Sequence, residues 1–435
     1  MRTINRVYIN GEFVKPYGTE VQELINPSTR EIIGRVTLGN EEDAKRAIAA
    51  AKKAFKTFSR TSVEERSQIL QRLHDAVMRK LEVLMEANIN EYGAPKPAAI
   101  GRVKLAAMNF LDTKEALEEF NFVKYIGKAK VVAEPIGVIG IITPWNATYS
   151  QITAKLASAI AAGCPVVIKP SELSAIQAHL ITECFHEADI PTGVINVVHG
   201  LGQTVGFELT RNPDIAMITF TGSTRTGKEI RRGAVDSMKR VTLELGGKSP
   251  NIILDDADFS TAIPTAVRQC YNNNGQACVA GTRLLVPKQR REEVKQIAKE
   301  TVVIGGLGHP EGMEQGYFVK PTVFAQVTED MTIAKEEIFG PVLSILTYET
   351  EEEAIEMANN TDYGLGAYVS SSDIEKANEM ATQIAAGVVL INGAGFEMKA
   401  PFGGFKQSGL GREYGLHGLE ECLETKTITG YDSAK

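Results

Sequence analysis

A chain of 435 residues, 43% hydrophobic and 23% charged, has length for roughly three domains and enough apolar content for several cores, which excludes wholesale disorder. Its net charge of −7, from 47 basic and 54 acidic residues with no block of Lys or Arg, offers no footprint for nucleic acid or an anionic membrane. Five cysteines, an odd number with no C-x-x-C spacing, argue against a disulfide framework or a structural metal site and fit a reducing, cytoplasmic setting.

The opening Met1-Arg-Thr-Ile-Asn-Arg6 has no apolar run, so no signal peptide is expected. Val7 to Val36 mixes short apolar runs with Asn-Gly and Asn-Pro turns and reads as small strands. From Glu41 to about Phe120 the period is helical: Ala44, Ala47, Ile48, Ala51 and Phe55 recur at three- and four-residue spacing, as do Ile69, Leu73, Val77, Leu81 and Leu84. Four apolar runs follow, at Gly137–Ile142, Pro165–Ile168, Val194–Val198 and Ala216–Phe220, separated by helical patterns around Gln151–Ala162 and Ser174–Ala188. Strands apolar on both faces, alternating with helices, imply a doubly wound parallel sheet. The longest uncharged run, Pro135 to Ala154, contains Pro144, Asn146, Ser150 and Gln151, and so reads as strand plus loop rather than a membrane span. A second α/β section runs from about Gly247 to Asn392, and Glu351–Glu353 opens a helix as a solvated acidic first turn.

Several segments carry chemistry. Asn274-Gly-Gln-Ala-Cys278 places a thiol after a polar, glycine-containing flank (Asn272, Asn273, Asn274, Gly275, Gln276), which suits an accessible nucleophile, whereas Cys164 beside an apolar strand reads as core. In Leu243-Glu244-Leu245-Gly246-Gly247-Lys248 the carboxyl stands between leucines. It is either a general base with a raised pKa or the solvent face of an alternating strand. Asn146, beside the only tryptophan in Thr143-Pro-Trp145-Asn146, either donates to an oxyanion or makes a turn. Lys169-Pro-Ser171-Glu172 ends a strand, where doubly wound sheets bind ligands. Gly200-x-Gly202-x-x-x-Gly206 is not the dinucleotide fingerprint, while Phe220-Thr-Gly222-Ser223 leads into a helix whose N-terminus would favour a phosphate. The residues thus imply a nucleotide-type sheet without specifying a cofactor.

Together these segments resemble the aldehyde dehydrogenase superfamily. Seven motifs stand in family order: Pro144-Trp-Asn146, Lys169-Pro-Ser-Glu172, Phe220-Thr-Gly-Ser-Thr224, Leu243-Glu-Leu-Gly-Gly-Lys248, Gly275-Gln-Ala-Cys278, Glu337-Ile-Phe-Gly-Pro341 and Pro401-Phe-Gly-Gly-x-Lys406-x-Ser-Gly-x-Gly-Arg-Glu413. The resemblance implies aldehyde oxidation with NAD+, with NADP+ left open. Cys278 would be the nucleophile, Glu244 the base that activates water, and Asn146 with the Cys278 N–H the oxyanion hole. Lys155 and Glu413 would support them. Cofactor contacts would fall on Trp145, Lys169, Ser171, Glu172, Gly202, Phe220, Gly222, Ser223, Leu245, Gly246, Glu337 and Phe339, and the substrate mouth on Ala147, Gln151, Asn272 and Phe402. It also implies an α/β fold of two doubly wound domains, with residues 1–120 and 134–246 binding the cofactor and 247–414 forming the catalytic domain. Residues 121–133 and 415–435 would form a small β element that makes a homodimer or homotetramer.

Three departures from the family pattern stand out. Arg225 follows Ser223 where an acidic residue is common, adding charge near the expected pyrophosphate. Ala147 and Asn272 replace bulkier apolar residues, so the mouth reads as roomy and polar, suited to a polar or bulky aldehyde. The chain is also short by some tens of residues where the helix-like Arg291–Lys299 runs into the strand-like Thr301–Ile304. That join has no turn signal, which favours an omitted segment over a true deletion. Two other activities remain as alternatives. A coenzyme A-acylating relative would lack the base at Glu244. A cofactor-independent cysteine hydrolase would require a histidine partner for Cys278.

Overall fold

The computed structural model describes residues 1–301 and 305–431. The apolar runs of the first half build an eight-stranded sheet. Its parallel centre runs, in spatial order, Arg240–Glu244, Ile215–Thr221, Val138–Ile142, Val166–Lys169 and Ile195–Val197. Antiparallel strands close both edges, Gly409–Leu410 on one side and the hairpin Val7–Ile9 with Glu12–Val14 on the other.

The strand period places alternate side chains in two different cores. Ile139, Ile141, Val166 and Ile168 face one core, covered by the helices Val63–Arg79, Lys96–Glu119, Thr148–Ala162 and Ala175–Glu187. Val138, Ile142, Val167 and Ile218 face the other, against Ala44, Ala47, Ile48 and Ala51 of the helix Glu41–Phe58. That helix starts where a capping box requires it: Asn40 accepts from Glu42 and Asp43 N–H groups, and Asp43 accepts from the Asn40 N–H.

The second half repeats the plan in a six-stranded, all-parallel sheet. Its spatial order is Thr322–Phe324, Val342–Tyr348, Arg283–Pro287, Pro250–Ile253, Gly366–Ser370 and Val388–Ile391. Ile252, Leu285 and Leu346 look into one core, and Ile253, Leu284 and Ile345 into the other. Two three-stranded sheets complete the fold. One joins Arg2–Ile4, Ile32–Thr37 and Val21–Ile25. The other joins Val123–Ile126, Ala129–Pro135 and Leu423–Thr429, with the last strand at an edge.

One expectation is corrected. Thr301 ends the helix Arg291–Thr301 rather than opening a strand. Val294 and Ala298 form a buried i, i+4 stripe, so the helical period continues past Ala298. The remainder of the expected strand, Val302–Ile304, lies outside the described residues.

Candidate active site

The parallel strands carry their chemistry to one end. Glu244 is the last residue of its strand, only 3% exposed, and its Oε2 has no hydrogen-bond partner. Burial pushes its carboxyl well above the ordinary range. The nearby Glu413 carboxylate pushes the same way, while Lys155 and Arg412 offset part of the rise. Lys155 and Glu413 form a buried ion pair beside it. Glu413 is held by a two-way backbone bridge to Phe402, whose ring packs edge-on against Phe396 and Tyr414.

Cys278 is half-buried, whereas the other four cysteines are buried. Its thiol is pushed up to about 12 by burial, then by the Glu244 and Glu337 carboxylates. The resting group is therefore a thiol, and attack requires a base to take its proton. Gly247 fixes the backbone here, because a Cβ at that position would lie 2.2 Å from the Cys278 carbonyl oxygen.

The loop before Cys278 is unusual. Asn273, Asn274 and Gly275 all have positive φ, at 55°, 57° and 69°. A Cβ on Gly275 would meet the Gly340 carbonyl at 2.1 Å, so this turn lies directly on the Glu337–Pro341 segment. Asn146 reaches the same loop, its Nδ2 donating to the Gln276 carbonyl at 2.9 Å. One of the two amide protons remains for a ligand.

Except for Glu337 and Phe339, the expected cofactor residues lie at or just after the carboxyl ends of the first sheet's parallel strands. Lys169 ends its strand and pairs with Glu172 at 3.0 Å. Ser171 accepts from the Leu173 N–H, and Gly202 has nothing within 4 Å of where a Cβ would stand. Ser223 caps the ten-residue helix Thr224–Gly233, whose free N–H groups suit a phosphate. The Phe220 ring covers Gly222, and Leu245 packs against Gly227 of that helix. Glu337 accepts from the Gly247 N–H at 3.0 Å and lies so close to Gly246 that a Cβ there would clash with its carboxylate. Phe339 has φ of 58° and turns its ring edge-on to Trp145 at 6.0 Å. That conformation is rare for a bulky residue and marks a constrained site.

A cavity of about 550 Å³ adjoins the nucleophile loop and is lined by Arg268, Tyr271, Asn272, Ala277, Val279, Tyr368 and Phe396, among others. Of the four residues expected at the mouth, Asn272 lies on its wall. Ala147 caps the helix Thr148–Ala162, and Gln151 accepts from the Thr221 hydroxyl at 3.0 Å. Sequence reasoning missed Tyr92 and Arg102, which bind the loop from a distant helical hairpin. A hydroxyl at the end of a π-turn and one arginine among 47 basic residues carry no signal in spacing.

The aldehyde dehydrogenase family model matches residues 13–302 and 292–428. The 3-succinoylsemialdehyde-pyridine dehydrogenase of a Pseudomonas species is 42% identical over 484 aligned positions, covering 100% of both chains. Among solved structures, a cysteine-to-alanine mutant of aldehyde dehydrogenase C from Pseudomonas syringae, complexed with NAD+ and octanal, superposes with a TM-score of 0.97. It is 42% identical, with 99% of this chain and 98% of that one covered. Betaine aldehyde dehydrogenase from Staphylococcus aureus, in complex with NAD+, gives 0.94 at 33% identity, covering 98% and 94%. The chain belongs to the aldehyde dehydrogenase family and is an oxidoreductase acting on aldehydes. The family match breaks into two segments that meet at residues 292–302, where the sequence reading localises the missing length.

Proposed function

We propose that this chain oxidises an aldehyde to its carboxylic acid with NAD+, through a thioester on Cys278 that Glu244 hydrolyses. One observation carries the reading: a buried carboxylate with an unpartnered oxygen acts electrostatically on the Cys278 thiol, while Asn146 is fastened to the backbone two residues before it.

Glu244 takes the thiol proton, directly or through water, and the Cys278 sulfur attacks the carbonyl carbon. The oxygen of the resulting thiohemiacetal accepts from the free Asn146 amide proton and the Cys278 N–H. NAD+, when bound, supplies the acceptor for the substrate's hydride, leaving a thioester on Cys278. Glu244 gives up the thiol proton to solvent, which is the one proton the overall reaction releases, and then removes a proton from water, which attacks the thioester; the acid departs and the sulfur takes that second proton back from Glu244. The Lys155–Glu413 pair sets the charge around this base.

The donor set fits the cofactor. Glu172 with Lys169 suits one ribose, the Ser223 helix N-terminus the pyrophosphate, and Glu337 the other ribose. Trp145, Ser171, Gly202, Phe220, Gly222, Leu245, Gly246 and Phe339 shape the walls. A carboxylate at Glu172 pairs with a 2′-hydroxyl and repels a 2′-phosphate, which favours NAD+, although Lys169 and the exposed Arg225 would tolerate NADP+. Arg225→Glu is expected to weaken NADP+ binding more than NAD+ binding in calorimetric titrations; equal affinities before and after would remove Arg225 from cofactor selection.

Residues 1–120 and 134–246 serve as the cofactor-binding domain, 247–414 as the catalytic domain, and 121–133 with 415–435 as an oligomerisation element in a cytoplasmic homo-oligomer. The polar, aromatic cavity beside Asn272 suits a polar or bulky aldehyde. The pyridine semialdehyde relative fits that choice, whereas octanal in the Pseudomonas syringae complex points to alkyl chains; a clear preference for long alkyl aldehydes would defeat it. The test is NADH formation across an aldehyde panel, with Cys278→Ala as control. Aldehyde-dependent NADH that vanishes in the variant supports the reading, and its absence from the unmodified protein sinks it. A product trapped only as a coenzyme A thioester would instead establish acyl transfer.

A further inference from the structure

The oxyanion donor and the nucleophile loop are held together by side chains from outside both halves of the site. Tyr92 ends the π-turn Asn88–Tyr92, and Arg102 lies in the following helix, Lys96–Glu119. The Arg102 guanidinium stacks on the Tyr92 ring at 4.4 Å. It also donates to the Asn273 side-chain oxygen and, at 3.4 Å, to the Asn146 carbonyl. The Tyr92 hydroxyl lies 2.6 Å from the same Asn273 oxygen and 3.2 Å from the Gln276 side-chain oxygen. Asn273 completes the circuit, its Nδ2 donating to the Gln276 carbonyl at 2.8 Å and the Asn146 carbonyl at 3.4 Å.

The physical need for such a clamp is local. Three successive left-handed residues precede Cys278, and two of them are not glycine. Left-handed non-glycine residues persist where their surroundings over-determine them. Asn146 also sits in a loop, and its amide must meet an oxygen that gains charge only as the bond to sulfur forms. Among the described residues no carboxylate lies within 4.0 Å of the Arg102 guanidinium, so no ion pair draws it away from the loop.

We propose that Arg102, stacked on Tyr92, is a positioning residue for this reaction. It fixes Asn146 relative to Cys278 by gripping Asn273 and the Asn146 carbonyl. The proposal rests on the aldehyde-oxidising reading above. A planar guanidinium is required, because one group must both lie on a ring and donate in two directions.

The test compares the full-length unmodified enzyme with Arg102→Met, Arg102→Ala and Tyr92→Phe, following NADH with a neutral and a carboxylate-bearing aldehyde. Removal of an oxyanion donor itself costs about 10²–10³-fold, so misplacing one is expected to lower kcat about 10–100-fold in Arg102→Met. KM should stay within about threefold for both aldehydes, because the lost contact is not to substrate. Guanidinium ion at tens of millimolar should restore part of the kcat of Arg102→Ala, an effect that lost packing would not produce. Tyr92→Phe keeps the ring beneath Arg102 and removes only the hydroxyl; it should lower kcat about 3–10-fold at an unchanged melting temperature. Unchanged kcat in Tyr92→Phe and in a folded Arg102→Met overturns the proposal. So does a rise in KM confined to the carboxylate-bearing aldehyde, which would make Arg102 a substrate contact. If Arg102→Met fails to fold, Tyr92→Phe decides. An unmodified enzyme without aldehyde-dependent NADH removes both readings, whereas an active one with indifferent variants removes only this one.

Discussion

At the scale of single residues the site rests on one carboxyl whose charge is hard to hold. Burial disfavours the ionised form of Glu244, and the neighbouring Glu413 charge disfavours it further. The protonated form cannot accept a proton, so the fraction of competent base rises with pH. Thioester hydrolysis should therefore accelerate as pH rises, until the raised pKa is passed. Glu244→Gln removes the base and keeps the shape. Both the formation of NADH and the hydrolysis of the acylated Cys278 should slow, with steady turnover lowered at least about 10²-fold. Rapid-mixing absorbance with mass spectrometry for an acylated Cys278 checks this, and undiminished steady turnover would place the base elsewhere. Gly247 acts through bare geometry. A methyl group there would collide with the Cys278 carbonyl, so Gly247→Ala is expected to cost about 1–3 kcal/mol and most of the activity; an active, equally stable variant would show the contact to be soft. Cys278, Glu244 and Asn146 were legible in the sequence because each stands in a short, chemically distinctive string. Tyr92 and Arg102 were not, since what makes them matter is a contact across 171 or more positions of chain that no local pattern encodes.

At the scale of elements, the buried strands were the most legible part. Val138–Ile142 and Val166–Lys169 are apolar on both faces because both faces meet a core, and an unbroken run of apolar residues followed by a polar string marks a strand end. The antiparallel edge strand Gly409–Leu410 was not legible, being two residues long and defined only by its neighbour. The π-turn Asn88–Tyr92 was equally silent, yet it ties two parts of the site together. Tyr92 grips the nucleophile loop, while Glu91 accepts the Ile176 and Gln177 N–H groups at the start of the helix that follows Glu172. Burial raises the Glu91 carboxyl from 4.5 to about 7, only partly offset by those N–H groups. Between those values the unfolded chain has released its proton while the folded chain keeps it, so this group's contribution to stability falls as pH rises. Glu91→Gln cannot titrate. The stability difference between the unmodified protein and this variant should therefore move against the unmodified protein by on the order of 2–3 kcal/mol between pH 4.5 and 7.5. Melting temperatures measured across that range test it, and a constant difference would show that Glu91 is ionised throughout.

At the scale of the whole molecule, the two parallel sheets account for themselves, since each buries both faces. The sheet Val123–Ile126, Ala129–Pro135 and Leu423–Thr429 does not. Leu423 is buried, but every later residue of its strand is exposed, as are Tyr125, Ile126, Ile428 and Tyr431. Tyr125 and Tyr431 meet at 5.9 Å, and the register sets Tyr125 and Ile428 on one face, both paired with Lys130, with Ile126 on the other. A three-stranded sheet with an apolar face and an open edge strand is a surface that pairs with another chain unless charge or cover prevents it. Glu424–Gly430 alternates as a strand does, but periodicity cannot tell an edge strand from an internal one; only the sheet order does. Val388–Ile391, half-buried throughout, leaves a second open edge on the six-stranded sheet. An edge of one chain joining an edge of a second copy would satisfy both rows of backbone groups at once, by the same hydrogen bonding that builds each sheet. Ile428→Lys combined with Tyr125→Lys places charge on that shared face without touching Glu244, Cys278 or Asn146. Light scattering after size exclusion should show the unmodified protein as a dimer or tetramer and the double variant as a monomer with a lower melting temperature. An unmodified protein that elutes as a monomer at micromolar concentration, or a double variant that assembles unchanged, would mean that this sheet is covered in some other way.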